Sequence, residues 1–250
     1  MPGIELLDAG LPAGVLGGFT TRSGGVSRAP WDTLNLALHV GDETTDVFAN
    51  ADLLAAHLGV TGLNFPHQVH GADVIVLDEL RSGYLTYSKV TGVDALVTGQ
   101  PVLPLSVLVA DCMPVLIADQ EGGIVAAAHA GRKGLAEGVL QATLDAMVDI
   151  GADPARMTAV IGPSICGRCY EVPESMREEV EAVVPGTACE TRAGTAGLDL
   201  PAGALGVLRA AGVSATAMGI CTAEDDRFYS YRRDGVTGRF AGVVMLSTDG

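Results

Sequence analysis

The stretch Val107–Leu140, VLVADCMPVLIADQEGGIVAAAHAGRKGLAEGVL, constrains the fold more than any other part of the chain. Its apolar runs are short and are cut by Asp111-Cys112, by Asp119 to Gly123 and by Gly131, which makes strands the simplest reading, followed by a helix from about Gly134 to Asp149. The polar residues fall where those strands end. Asp111 and Cys112 break the first pair, and His129 closes the next strand beside the turn Gly131-Arg132-Lys133-Gly134. Strand ends next to glycine turns let a rigid sheet present side chains to a cleft, and a thiolate and an imidazole brought together there suit a zinc ion.

The flanking text repeats the alternation of strand and helix. A strand is expected over Gly14 to Thr20, a helix from about Thr45 to His57 ended by Gly59, and strands over Phe65 to Val76, Val93 to Thr98, Met157 to Ile161 and Ala215 to Ile220. Pro173 to Val184 reads as an acidic helix with Met176, Val180 and Val183 inward, Gly186 to Gly197 as a polar loop, and Leu198 to Ala211 as a helix capped by Gly212. Ser82 to Lys89 reads as an exposed loop. The segment around Gln68-Val69-His70 is taken as extended, so that His70 and Gln68 share the face opposite Val69. A lone histidine is commonly structural, and His70 gains meaning only from what converges on it. Thr20 to Ser27 is either an anion-binding glycine turn built around Arg22 or an ordinary surface turn. Arg132 and Lys133 stand at a helix start that would favour a second anion. Arg232, Arg233 and Arg239 form a basic cluster or pair with Asp225, Asp226 and Asp234. Cys166 and Cys169 make one CxxC with no second pair, since Cys189 and Cys221 stand alone, so coincidence is the default there.

With 250 residues, 48% of them hydrophobic, the chain can bury a large core, and it shows neither linker nor repeat, so one unit over 1–250 is expected. A formal charge of −15 disfavours nucleic acid and anionic membrane as partners. No signal peptide or membrane-length apolar run is visible, and five cysteines, an odd number, fit reduced thiols in a cytoplasm better than a disulfide framework.

TTRSGGVS, NL..HVGD, HQVHGADV, DALVT, ADCMPVLIAD, AAAHAG, IGPSICGRCYEV and CT…FYSYRRDGVTGR occur in this order from about Phe19 to Leu246. Together they resemble the laccase-domain proteins once called multicopper polyphenol oxidases, the YfiH/DUF152 group. The resemblance implies an α/β fold of α/β/β/α layers with mixed sheets. It implies zinc held by His70, Cys112 and His129, and activity on purine nucleosides: phosphorolysis of adenosine, inosine, guanosine or methylthioadenosine, and deamination of adenosine. On the same basis Asp111 joins the catalytic group, and Arg22, Asn35, Lys133, Arg232 and Arg239 are substrate-binding candidates. Two imidazoles and one thiolate leave a fourth tetrahedral position open, as in catalytic zinc sites. Asp94 or Asp111 would move protons or support the ligands. This chain has Arg132-Lys133 where the family usually has Trp-Arg, which removes an aromatic surface and a guanidinium fork.

Three functions compete at this stage. A zinc phosphorylase with deaminase activity leads; it would act as a monomer or small homo-oligomer on nucleoside and phosphate. A copper-dependent phenol oxidase is the second, although His39, His57 and His67 lack the paired texture of a multicopper centre. The third is a metal-free protein, either non-catalytic or using Cys112 and His129 as nucleophile and base.

Overall fold

The computed structural model describes residues 3–78 and 92–247; the loop expected over Ser82 to Lys89 lies outside them. In chain order β1 (Leu6–Asp8) and β2 (Val15–Thr20) lead to α1 (Thr44–Leu58), then β3 (Val74–Val76), β4 (Ala95–Thr98), β5 (Leu105–Val109), β6 (Met113–Asp119) and β7 (Ile124–Ala130). Next come α2 (Arg132–Glu137), α3 (Val139–Asp149), β8 (Thr158–Ile161), α4 (Glu174–Val183), β9 (Ala188–Glu190), β10 (Ala196–Leu198), α5 (Leu200–Ala210), β11 (Ser214–Ala217), α6 (Tyr231–Asp234) and β12 (Phe240–Leu246).

Two sheets lie face to face. One has six strands in the order β11-β8-β6-β7-β4-β3 and is mixed, with parallel pairs at both edges and antiparallel pairs between. The other, β1-β2-β12-β5, is antiparallel throughout. Strand alternation separates the core into layers. Met113, Val115 and Ile117 of β6 face α3 and α5, whereas Leu116 and Ala118 face the second sheet. On β12, Val244 and Leu246 fill the space between the sheets, and Ala241 and Val243 pack outward against α1 through Val47 and Leu54. The result is the expected α/β/β/α order. Phe19 sits fully buried between the sheets. Its ring fits because Gly162 and Gly242 have no Cβ: one at Gly162 would lie 2.3 Å from the ring. Each such aromatic contributes about 1.5–3 kcal/mol of transfer free energy.

Several boundaries differ from the sequence reading. The helix expected from Gly134 begins at Arg132 and is broken into α2 and α3 by Gly138, whose φ of 90° is left-handed. Val148 and Val183, expected inward, are exposed, while Val184 just past α4 is buried. The loop expected from Gly186 to Gly197 is a two-stranded hairpin, β9–β10. Residues 65–70 are not a strand. His70 has φ 60°, so the alternation used to orient it does not apply. Gln68 turns its amide onto the backbone of Leu108, accepting from its N–H at 2.8 Å and donating to its carbonyl at 2.7 Å.

Candidate metal centre and cleft

His129 is the penultimate residue of β7 and shares the face of Val125 and Ala127, so it points between the sheets at their open end. Asp94, just before β4, lies alongside; its carbonyl accepts the His129 N–H at 2.7 Å. Its carboxylate accepts from His129 Nδ1 at 2.7 Å, and both groups are almost fully buried. The same carboxylate takes three successive backbone N–H groups, from Val69, His70 and Gly71, at 3.2, 2.9 and 2.8 Å. Such a nest of amides around an anion explains why His70 tolerates a left-handed backbone. One carboxylate therefore orients one histidine ring and the backbone of the other. With Nδ1–H committed to Asp94, His129 is left with its Nε2 lone pair for a ligand.

Cys112 enters from the β5–β6 connection, where Asp111 also has positive φ, 90°. Its Sγ lies 3.7 Å from His70 Nε2, and the two imidazoles meet edge to face with centroids 4.6 Å apart. The donor atoms of His70, Cys112 and His129 all lie within 4.8 Å of one another. Gly131 keeps this space open, since a Cβ there would lie 2.9 Å from His70 Cδ2 and 3.0 Å from Cys112 Sγ. Burial by itself would raise the Cys112 thiol, but the His129 charge and hydrogen bonds from both rings outweigh it and hold the group well below its ordinary range. His129 shifts upward: burial opposes its charge, yet the Cys112 thiolate and Asp94 prevail. An ionised sulfur, the Nε2 of His129 once a metal displaces its proton while Asp94 keeps the Nδ1 proton, and a second imidazole form a donor set suited to zinc and to other soft or borderline ions.

These donors stand at one wall of a cleft of about 440 Å³. Arg132, Arg232 and Arg239 line it, with Tyr170 and Tyr231 among them. Arg232 lies 4.9 Å over the Tyr170 ring and donates through Nη1 to the Glu171 carbonyl; Arg239 lies 6.0 Å over Tyr231 and donates through Nη1 to the Thr237 and Gly238 carbonyls. Asp111 also lines the cleft, its two oxygens accepting from Thr222 Oγ1 at 2.7 Å and from the Arg232 backbone N–H at 2.6 Å.

The remaining substrate-binding candidates sit elsewhere. Arg22 is held by Asp32 and lies 4.8 Å over Tyr229, away from the residues that line the cleft. Lys133 is exposed and pairs with Glu137 at 3.5 Å, and the six-residue α2 is too short to offer the anion site expected at its start. Asn35 is buried and acts indirectly, accepting the Arg239 backbone N–H at 2.9 Å. Arg233 is taken up by Asp234 and Asp226. The basic C-terminal cluster thus divides, two arginines into the cleft and one into ion pairs. His39, Gln68, Tyr170 and Tyr231 line the cleft without having been singled out as site residues. The motif strings contain all four, but nothing in their spacing separates a wall from a core position.

Comparison with known proteins identifies the family. The family model described as multi-copper polyphenol oxidoreductase laccase matches residues 17–247. A protein of Streptomyces coelicolor named purine nucleoside phosphorylase is 50% identical over 232 residues, covering 92% of this chain and 94% of that one. A Corynebacterium glutamicum protein of the same name is 44% identical over 231 residues, with coverage of 91% and 93%. Among solved structures, YlmD of Geobacillus stearothermophilus superposes with a TM-score of 0.89 at 32% identity, covering 99% of this chain and 98% of that one. A DUF152 protein of Neisseria meningitidis gives 0.87 at 35% identity, covering 98% and 100%. A match over almost the whole length, in sequence and in fold, makes this chain a member of the multi-copper polyphenol oxidoreductase laccase family, the YfiH/DUF152 group.

Proposed function

We propose that the chain is a zinc-dependent purine nucleoside phosphorylase that also deaminates adenosine. The observation that carries this reading is the convergence, in one cleft of a strongly acidic protein, of three metal-donor side chains with three arginines and two tyrosines. Relatives named purine nucleoside phosphorylase support it. Held by His70, Cys112 and His129, a zinc ion would supply a Lewis acid with an open coordination position at the cleft wall.

The chain's own groups do the rest. Arg232 and Arg239 each spend Nη1 on carbonyls, so the remainder of each guanidinium fork can grip phosphate oxygens. Arg132, which also lines the cleft, adds a third positive charge. Tyr170 and Tyr231 offer faces against which a purine stacks. In phosphorolysis a phosphate oxygen bonds to ribose C1′ as the C1′–N9 bond breaks, and the purine leaves with the electron pair and takes up a proton. In deamination water adds at C6 and ammonia departs, which requires a carboxylate to carry a proton. Asp94 is enclosed and its oxygens are engaged by four donors, whereas Asp111 lines the cleft and each of its oxygens accepts one hydrogen bond. Asp111 is therefore assigned this role.

The family description favours a second reading, copper-dependent phenol oxidation. Against a multicopper centre, the whole chain has five histidines, and among the described residues two of them join a donor cluster. The five free cysteines support a reducing, cytoplasmic setting, and no helix among the described residues is long and apolar enough to cross a membrane. The test supplies zinc-replete protein with inosine and phosphate, expecting hypoxanthine and ribose 1-phosphate in equal amounts, and with adenosine alone, expecting inosine and ammonia. No turnover of any purine nucleoside would overturn the proposal, and oxygen uptake on phenols would replace it.

A further inference from the structure

We propose a second metal site, structural in character, in which Cys166, Cys169, Cys221 and Glu224 bind one zinc-like divalent ion and fasten together two loops that support residues of the cleft wall. The ligand atoms of these four residues all lie within 4.8 Å of one another. A tetrahedral ion with bonds of about 2.3 Å to sulfur needs ligand atoms roughly 3.8 Å apart, so small side-chain shifts suffice to close this set around one ion.

The backbone around the ligands has the form such sites require. Cys166-Gly167-Arg168-Cys169 is a tight turn closed by the Cys169 N–H on the Cys166 carbonyl at 2.9 Å, and Cys221-Thr222-Ala223-Glu224 is a matching turn closed by the Glu224 N–H on the Cys221 carbonyl at 3.1 Å. The second pair that the sequence lacks as CxxC is thus present as Cys-x-x-Glu, and a carboxylate oxygen is an accepted zinc ligand. The turns are held face to face. Ser164 donates to the Ile220 carbonyl and Thr222 donates back to the Ser164 carbonyl, both at 3.1 Å, and the Cys166 N–H points at Cys221 Sγ at 3.3 Å. Glu224 Oε1 lies 3.0 Å from Cys169 Sγ and 4.0 Å from Cys166 Sγ. Arg192 pairs with Glu224 at 2.5 Å. Three thiolates, a carboxylate and a divalent cation sum to −2, and this arginine offsets part of that charge. Binding releases the three thiol protons to solvent.

The consequence for the cleft follows from sequence adjacency. Tyr170 and Glu171, which hold the Arg232 guanidinium, follow Cys169 directly; Thr222, which donates to Asp111, follows Cys221. An ion shared by the two turns would fix both supports at once. The inference is independent of the nucleoside chemistry, because it concerns a different donor set and is read by metal content.

Metal is counted by mass spectrometry on the full-length protein purified under reducing conditions without added metal, together with free thiols and cobalt(II)-substituted absorption spectra. The wild type is expected to carry about two equivalents. Cys166→Ser and His70→Ala should each lose about one, and the double variant should lose both. In the cobalt form the sulfur-to-metal charge-transfer intensity of His70→Ala should stay near three quarters of the wild-type value, since three of four thiolates remain. If Cys166→Ser does not fold, Glu224→Gln serves, with second-site affinity expected to fall 10-fold or more. A single equivalent in the wild type that His70→Ala abolishes and Glu224→Gln leaves unchanged would overturn the proposal, as would a disulfide among Cys166, Cys169 and Cys221 in place of the ion.

Discussion

Replacing Asp94 with asparagine isolates what a single buried carboxylate does for the metal centre. The side chain keeps its shape but exchanges an acceptor for an NH2 group, and four donors now point at it: His129 Nδ1 and the backbone N–H groups of Val69, His70 and Gly71. Whichever way the amide turns, two donors lose their acceptor. At about 1–3 kcal/mol for each stranded donor, with some relaxation, stability should fall by about 2–4 kcal/mol. For a chain of this size that corresponds to a melting point lower by roughly 5–15 °C. A second effect is chemical: with the NH2 toward His129, the favoured tautomer carries its proton on Nε2, the nitrogen needed for the metal. Loss of a carboxylate partner of a ligating histidine costs about 10–100-fold in metal affinity. Competition with a chromogenic chelator measures that affinity, and calorimetry measures stability. Wild-type affinity and melting point in Asp94→Asn would refute the reasoning, because the carboxylate would then neither orient His129 nor hold the turn at His70.

Four further outcomes follow from particular contacts. Gly131→Ala introduces a Cβ 2.9 Å from His70 Cδ2 and 3.0 Å from Cys112 Sγ, so metal content at this centre should fall below half and activity drop about 100-fold while circular dichroism stays native. Arg232→Lys keeps a charge but loses the fork, and should raise the KM for phosphate about tenfold, whereas Lys133→Ala, which removes a side chain that pairs with Glu137 and is not part of the cleft lining, should leave it within about twofold. Asp119 is held down to about 2 by its hydrogen bonds from Arg156, below its ordinary 3.8, so it contributes stability that is complete above that value and lost as pH falls toward 2. Acid melts of Asp119→Asn should accordingly be flatter than wild type between about pH 4 and 2, and an identical slope would contradict the assignment. Removing metal with a chelator should abolish nucleoside turnover, and zinc in stoichiometric amount should restore it.

Much of this architecture is readable from residue order alone. The breaks at Asp111-Cys112 and Gly123 place β5, β6 and β7 almost to the residue, because buried strands in a layered sheet leave short, nearly unbroken apolar runs. The positions of Cys112 and His129 at strand ends follow from the same punctuation. What escaped is governed by tertiary contact. His70 takes its orientation from an amide nest around Asp94, which lies 24 positions later in the chain, and local periodicity carries no trace of that. The strand Phe240–Leu246, central to the antiparallel sheet, is buried on both faces and shows no alternation to mark it. The division of the arginines between cleft and ion pairs depends on which carbonyls and carboxylates lie within reach, as Arg22 on Asp32 shows. The Cys-x-x-Glu turn carries no cysteine-pair signature, and only the fold brings Glu224 to within 3.0 Å of Cys169 Sγ.

Anomalous diffraction on either side of the zinc edge, from crystals grown without added metal, addresses the central claim most directly. A zinc peak is expected about 2.0–2.3 Å from His70 Nε2, Cys112 Sγ and His129 Nε2, with one coordination position turned into the arginine-lined cleft. Density showing those three side chains apart, or joined to each other with no ion between them in protein that turns over inosine, would contradict it.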